Sequence, residues 1–598
     1  MRWARRVGAT WCSAALVLGV VAPGAYAQGS PSASPSAAST VTFTVGVVGD
    51  LNSVNPFKQI DSTEYFVSTL MYDGLIRYKQ QAYEPEGELA DAWNVSSDGL
   101  TWTFHLRDGP TWSDGVPITA QDFVWTSNFI LDNPARASAW IDGYRHTESV
   151  TALDDHTVVW KTTRPMVTPG LPGYNLVLPE HIWSKLGTTQ DIINYRNFPD
   201  SVASGPYNLV EWKQGEYWRM QARADYWEGA PHIGDIIFRV YNSNESVVQA
   251  LLKGAIDYTQ VPTGDIYDRI KDRAGIGTAI DAPEAFYQLS FNLASDPSST
   301  ANPAVLDPQV RLAVEYAIDR QTLVDRVVRG YGAPGSTPIA PVYPYWHWIP
   351  PPGDAIGYDP AKANQILDQA GYIDTNGDGI REAPNGGAPL HLRLFDSVQD
   401  PDGLRAGPFI RGWLKDVGID ASIRSMTDPQ LFHLWYAFDW DMIIYSWGTG
   451  PDPDFLLSSF TTHECGTWSD TCYANPQYDK LYLQQQTEVD PQTRQQTVQE
   501  MQQIIYRDIP EIVLWYPNTF EAWRSDRWTG FVHWPEPSGV MFWGNAYSAR
   551  FVRPKAGGGI ARAESGPTGI MWLVGIGLIA VAIAVSGTRR RRVDEYYA

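Results

Sequence analysis

The chain has 598 residues, with 67 Asp and Glu against 45 Lys and Arg and a formal net charge of −22 at pH 7. That balance keeps a protein soluble and repels phosphate backbones, so nucleic acid is excluded as a partner. Once both ends are set aside, roughly 510 residues remain, too many for one hydrophobic core, and two or three lobes are expected.

Arg2, Arg5 and Arg6, an apolar run from Ala14 to Ala22, and Ala25-Tyr26-Ala27 make residues 1–27 a secretory signal peptide, cleaved before Gln28. A buried first helix fits poorly because Pro23-Gly24 interrupts the run. Cys12 lies behind Thr10-Trp11 and forms no lipoprotein box. Residues 28–40 are a Ser/Pro/Ala spacer with nothing to bury, so disorder is expected there.

Folded sequence begins with the alternating run Val41 to Val45. From Leu100 to Arg107 the alternation is strict: Leu100, Trp102, Phe104 and Leu106 share one face of a half-buried strand, and Thr101, Thr103, His105 and Arg107 the other. Ser97-Asp98-Gly99, Asp108-Gly109-Pro110 and Asp114-Gly115 supply turns, and Thr119 with Asp122 reads as a capping box opening a helix at Ala120. Strand-like runs at Ile236–Val240 and Asp441–Tyr445 alternate with helical ones at Gln309–Val328 and Pro491–Tyr506, which predicts α/β lobes. No repeat period is present, which argues against solenoids and propellers.

Residues 554–566 are a Gly-rich stalk. Pro567 to Thr588 then gives 22 residues without a charge, followed by Arg589 to Arg592. About 20 apolar residues span a bilayer, and basic residues mark the cytoplasmic side, so a single C-terminal transmembrane helix is expected, with the body outside and residues 589–598 inside. A sortase signal is the rival, but Ser565 to Gly569 keeps only Thr-Gly of its motif in register. After signal cleavage Cys465 and Cys472 are the remaining cysteines, and export makes a disulfide the expected state.

The wording of Leu89 to Val124 resembles the signature of family 5 extracellular solute-binding proteins, the peptide/nickel-type receptors of ABC importers. Further blocks follow in family order: Leu70 to Leu75, Gly205-Pro206-Tyr207, Ala250 to Asp257, Arg311 to Arg320, Tyr358 to Ala363, Trp447 to Pro453, Tyr473 to Pro476 and Asp508-Ile509-Pro510. The resemblance covers roughly residues 43–551. It implies an α/β, two-lobed periplasmic-binding-protein-like fold with hinged lobes and an extra inserted domain. Lobe one would comprise 41–77, 204–283 and 526–553, the inserted domain 78–203, and lobe two 284–525. It also implies capture of a peptide or peptide-like solute by lobe closure, delivery to ABC permease subunits, a monomer, and no catalysis. Nickel chelates and oligosaccharides are the other ligand classes the fold takes.

By the same resemblance Trp447, at the end of an apolar strand and before the loop Gly448 to Pro451, lies at the cleft. Peptide-binding members place an Asp shortly after that Trp to meet the ligand's amine. Here Asp452 is the first acid, and it reads equally as a turn or helix cap. Specificity is therefore expected from shape and aromatic contact. Asn52, Asn55 and Tyr287 complete the candidate ligand residues.

Asp374, Asn376, Asp378, Ile380 through its carbonyl and Glu382 have calcium-loop spacing, but Asn385 stands where a bidentate Glu belongs. The segment reads either as a structural calcium site or as a bare Asn-Gly/Asp-Gly turn, and no other cofactor is expected. A carboxylate-dependent, glycosidase-like hydrolase is the enzymatic alternative, yet no G-x-S-x-G elbow, H-E-x-x-H helix or P-loop is present. A wall protein or sensor shares the topology, although residues 593–598 hold no signalling domain.

Overall fold

The computed structural model describes residues 41–58, 62–79, 85–134, 136–137, 140–144, 146–166 and 175–557. The expected signal peptide, spacer, remainder of the stalk, span 567–588 and basic tail lie outside the described residues. Among the described residues no helix is long and apolar enough to cross a membrane.

The largest sheet has seven strands in the order Ile276–Asp281, Thr519–Arg524, Tyr258–Val261, Thr42–Val48, Asp235–Tyr241, Tyr217–Ala222 and Tyr207–Lys213. The run beginning at Thr42 becomes its middle strand, parallel to both neighbours. A strand covered on both faces needs an apolar sequence, and Phe43 and Val45 are completely enclosed. Gly46 permits the helix Asn244–Leu252 and the chain after it to lie close. A Cβ there would stand 2.3 Å from Ile256 Cδ1 and 2.9 Å from Val247 Cγ1.

A four-stranded antiparallel sheet, Ala90–Val95, Thr101–Leu106, Thr157–Thr162 and Thr147–Asp154, lies inside the segment expected as the inserted domain. Its alternation is as predicted, with Trp102, Phe104 and Leu106 buried and His105 exposed. The helix Ala120–Asp132 starts where the capping box placed it, the Thr119 N–H donating to Asp122 at 2.8 Å. Its buried side chains are continuous with those of the seven-stranded sheet, so inserted domain and lobe one share one core.

Lobe two is a six-stranded sheet, ordered Gly332–Pro334, Glu511–Pro517, Ala285–Phe291, Met442–Gly448, His391–Ser397 and Asp420–Met426. The chain passes between the sheets at residues 282–284 and returns at Asn518. The return corrects one expected boundary. Thr519–Arg524 pairs with Tyr258–Val261 and Ile276–Asp281, so lobe two ends at Pro517 rather than at 525. The single long helix expected over 309–328 is also two, Pro308–Ala317 and Arg320–Arg326, because Ile318 turns to an extended conformation and Asp319 caps the second through the Thr322 N–H at 3.0 Å.

A short clasp closes the C-terminal part of lobe one. Trp528 pairs with Pro554 and Thr529 with Arg553, which turns residues 530–552 into a loop. Trp528 is buried edge-on against Phe43, with ring centroids 4.7 Å apart.

Candidate functional site

The helix Ser62–Met71 carries Tyr65, Ser68 and Thr69 on one face, and Tyr72 follows at the same helical spacing. This face meets Trp140 of the inserted domain, Trp534 and Tyr547 of the clasped loop, and Pro451 of lobe two around a cavity of about 240 Å³. Aromatic walls give large contact area at low entropic cost. Pro451 is set from the hinge side. The Thr449 N–H and hydroxyl donate to the Glu284 carbonyl at 2.7 and 2.9 Å, and the Trp346 indole N–H donates to the Pro451 carbonyl at 2.9 Å.

One end of the cavity is charged, with Asp73, Arg77, Glu88 and Arg550 in its wall. Arg77 makes a bidentate pair with Glu228 at 2.7 and 2.8 Å and reaches Glu86 through Nε at 2.9 Å. Arg550 also pairs with Glu228. Two guanidiniums on one carboxylate hold Glu228 below its ordinary range against its burial. Asp73 is met by neutral donors, the Tyr226 hydroxyl at 3.1 Å and the Trp227 indole at 2.7 Å. Glu88 accepts the Gly74 N–H at 2.7 Å and stands 3.8 Å from Arg77. Burial, with Asp73 beside it, pushes the Glu88 carboxyl up to about 8, and burial raises Asp73 as well.

None of the five ligand residues expected from the sequence lines this cavity. Asn55 has no exposure, and its amide donates to the carbonyls of Ile192, Ile193 and Tyr195, which fastens the loop after the first strand to the inserted domain. Asn52 is exposed, its backbone N–H donating to Glu64. Tyr287 stacks on Trp515 at 4.3 Å and donates to Asp400 at 2.8 Å. Asp452 is bound bidentately by Arg494 at 2.6 and 2.8 Å, so its charge is neutralised within lobe two. Trp447 is half-buried against Phe455, its indole donating to Asp470 at 2.8 Å. The loop does reach the cavity, but through Pro451, four residues on.

The residues that do line it carry a weaker sequence signal. Tyr65 and Trp140 look like ordinary amphipathic and packing aromatics. Asp73 sits inside the family block Leu70 to Leu75, and Glu88 directly precedes the block that begins at Leu89.

The expected disulfide joins Cys465 and Cys472. In the acidic loop, the Asp374 carboxylate accepts the Gly377 and Gly379 N–H groups at 2.6 and 2.9 Å, and Asn376 and Asp378 each accept the N–H two residues on, both at 2.8 Å. Glu382 folds back over the loop onto Thr375 and Asn376. One oxygen from each of Asp374, Asp378 and Glu382 lies within 4.8 Å of the others, a hard-cation donor set. Among the described residues the helix Pro360–Gln369 precedes it and the strand His391–Ser397 follows, so a helix flanks it on one side only. Bridges from Glu382 to Ile373 and Pro389 make it a hairpin.

Comparison with known proteins places this architecture. The profile of the bacterial extracellular solute-binding proteins, family 5, matches residues 84–468. The oligopeptide-binding protein AppA of Bacillus subtilis (strain 168) is 24% identical over 497 residues, covering 80% of this chain and 86% of that protein. The nickel-binding periplasmic protein of Escherichia coli (strain K12) is 27% identical over 402 residues, 66% of this chain and 74% of that one. The structure of AppA in complex with a nonapeptide superposes with a TM-score of 0.70 at 22% identity, covering 86% of this chain and 99% of that one.

Proposed function

The chain belongs to the bacterial extracellular solute-binding proteins of family 5, and from that premise we propose that it is the solute-capturing subunit of an ABC importer, taking a peptide or peptide-like ligand into the cavity between its lobes. It is a receptor and not an enzyme, as its relatives are. The observation that carries the ligand reading is the cavity itself. Aromatic side chains of lobe one, the inserted domain and the clasped loop meet lobe two at Pro451, so a ligand there touches both sides of the hinge. The names of the relatives support peptide or nickel chelate as the class. The aromatic lining, with no imidazole in it, favours the peptide-like solute.

Capture works by closure around residues 282–284 and 518, and delivery is to permease subunits in the same membrane. The uncharged stretch 567–588 with its arginine tail holds the receptor there, on the outer face of the cell membrane after export. The loop Asp374 to Glu382 holds a structural calcium ion through Asp374, Asn376, Asp378, Glu382 and the Ile380 carbonyl, remote from the ligand.

Native mass spectrometry of protein purified without denaturation tests the ligand class, and small-angle scattering with the recovered ligand tests closure. A bound peptide and a smaller radius of gyration are expected. An unchanged radius at saturating ligand would sink the trap, and recovery of a sugar or metal chelate would replace the ligand class.

A further inference from the structure

The charged end of the cavity is short of positive charge. Asp73, Glu86, Glu88 and Glu228 gather there around Arg77 and Arg550, with Arg107 stacked on the Trp227 ring 4.9 Å away and donating to the Glu88 backbone carbonyl. The two nearer guanidiniums are bound to Glu228 and Glu86, as described above. Glu88 receives one amide N–H and a distant edge of Arg77, and Asp73 receives a phenol and an indole. Both carboxylates lie in the wall of the cavity that Tyr65, Tyr72, Trp140, Trp534 and Tyr547 also line.

Buried carboxylates without a full counter-charge are costly unless a cation arrives to pair with them. Aromatic faces around the same space attract cations as well, through the ring quadrupole. Anions have no comparable seat, because the hydrogen-bonding edges of Arg77 already face Glu228 and Glu86. The acid that the loop Gly448 to Pro451 lacks is thus present across the cleft, on lobe one.

We propose that Glu88 and Asp73 form a recognition subsite for a positively charged group of the solute, a primary ammonium or guanidinium, so that the receptor selects cationic peptide-like ligands over their neutral isosteres. The proposal rests on the peptide-like reading above and narrows it. It also reverses the expectation, drawn from the loop alone, that amine-blocked ligands are tolerated. Since Glu88 holds a proton near neutral pH, taking up a lysine or arginine side chain expels that proton, and affinity for such a ligand rises with pH through about 8, whereas an α-ammonium loses its own proton over the same range. The groups facing Glu88 in this response are Asp73, Arg77, Glu228, Tyr226 and Tyr65.

The test offers the purified full chain an equimolar library of di- and tripeptides and identifies the bound ones by native mass spectrometry. Each is then titrated, with its amine-acetylated or Lys-to-norleucine analogue, against wild type, Glu88→Gln and Asp73→Asn. Enrichment of peptides with a free amine or basic side chain is expected, with a penalty of tenfold or more for neutralising that group. In Glu88→Gln the penalty should shrink at least fivefold and the rise of affinity with pH should flatten, while the thermal midpoint is held. Asp73→Asn, which keeps its shape, gives the second reading if Glu88→Gln folds poorly. Binding without charge preference, or an acetylation penalty equal in wild type and both variants, overturns the cation subsite alone. Failure of wild type to bind any peptide overturns the peptide-like reading and the subsite with it.

Discussion

Trp447, expected at the cleft, packs against Phe455 and donates its indole N–H to Asp470. Its strand end and Gly/Pro loop were legible, but the direction of its indole was not, because Asp470 arrives from a loop 23 residues later. Burial pushes the Asp470 carboxyl up to about 6, while the indole N–H, Gln288 and Ser290 pull it back down. A raised carboxyl favours folding below its unfolded value, and that contribution is lost as pH rises through about 6. Trp447→Phe removes one of the restraining donors, so urea midpoints should show a loss of about 1–2 kcal/mol at pH 8 and a smaller loss at pH 5. A variant whose stability is unchanged at both pH values but whose solute affinity falls tenfold would make Trp447 a ligand contact instead. Asp281 is a purer case of the same physics. It is wholly buried at the hinge, and burial together with the charges of Glu521 and Glu284 pushes it up to about 9, with only Thr519 pulling it back. Asp281→Asn should therefore raise the thermal midpoint at pH 8 and leave it nearly unchanged at pH 4, read by scanning calorimetry at the two pH values.

At the scale of elements, periodicity and turn chemistry read well where local rules decide. The strand Thr101–Leu106 and the helix from Ala120 are examples. They read poorly where a distant partner decides, as with Thr519–Arg524, whose neighbours in the lobe-one sheet lie more than 230 residues earlier. The disulfide loop was legible from export and cysteine count, but its task was not. The bridge spans a sequence separation of 7 and holds the turn that delivers Asp470 beneath Trp447. Replacing both cysteines by serine should cost about 2 kcal/mol, small because the loop is short, and should change Trp fluorescence before global unfolding in a denaturant titration. The calcium loop adds a separate prediction. Chelation with EGTA should lower the thermal midpoint, and Asp374→Asn with Asp378→Asn should abolish the difference without altering solute affinity. No calcium-dependent shift in wild type would leave the segment a plain turn.

For the whole molecule, the two-lobed architecture was readable because family blocks recur in order along the chain, whereas the cavity was not, since it is assembled from stretches as far apart as Tyr65, Trp140, Pro451 and Tyr547. The proposed membrane tether predicts that truncation after Gly566 releases the protein from cells, while the full chain fractionates with membranes. Wild-type material found covalently linked to wall and lacking Arg589 to Arg592 would favour the sortase route instead. The clasp of Trp528–Thr529 on Arg553–Pro554 has a mechanical meaning in this setting. Any tug on the chain beyond Lys555 is taken first by that pair, by the Lys555 N–H on the Arg527 carbonyl at 2.7 Å, and by Trp528 wedged into the core at Phe43. The 530–552 loop, which carries Trp534 and Tyr547 to the cavity, lies behind this clasp and is itself held by Phe542 in the core and by the Met541 and Phe542 N–H groups on Glu521. Under the proposed tether, the line of tension thus runs past the cavity and not through it.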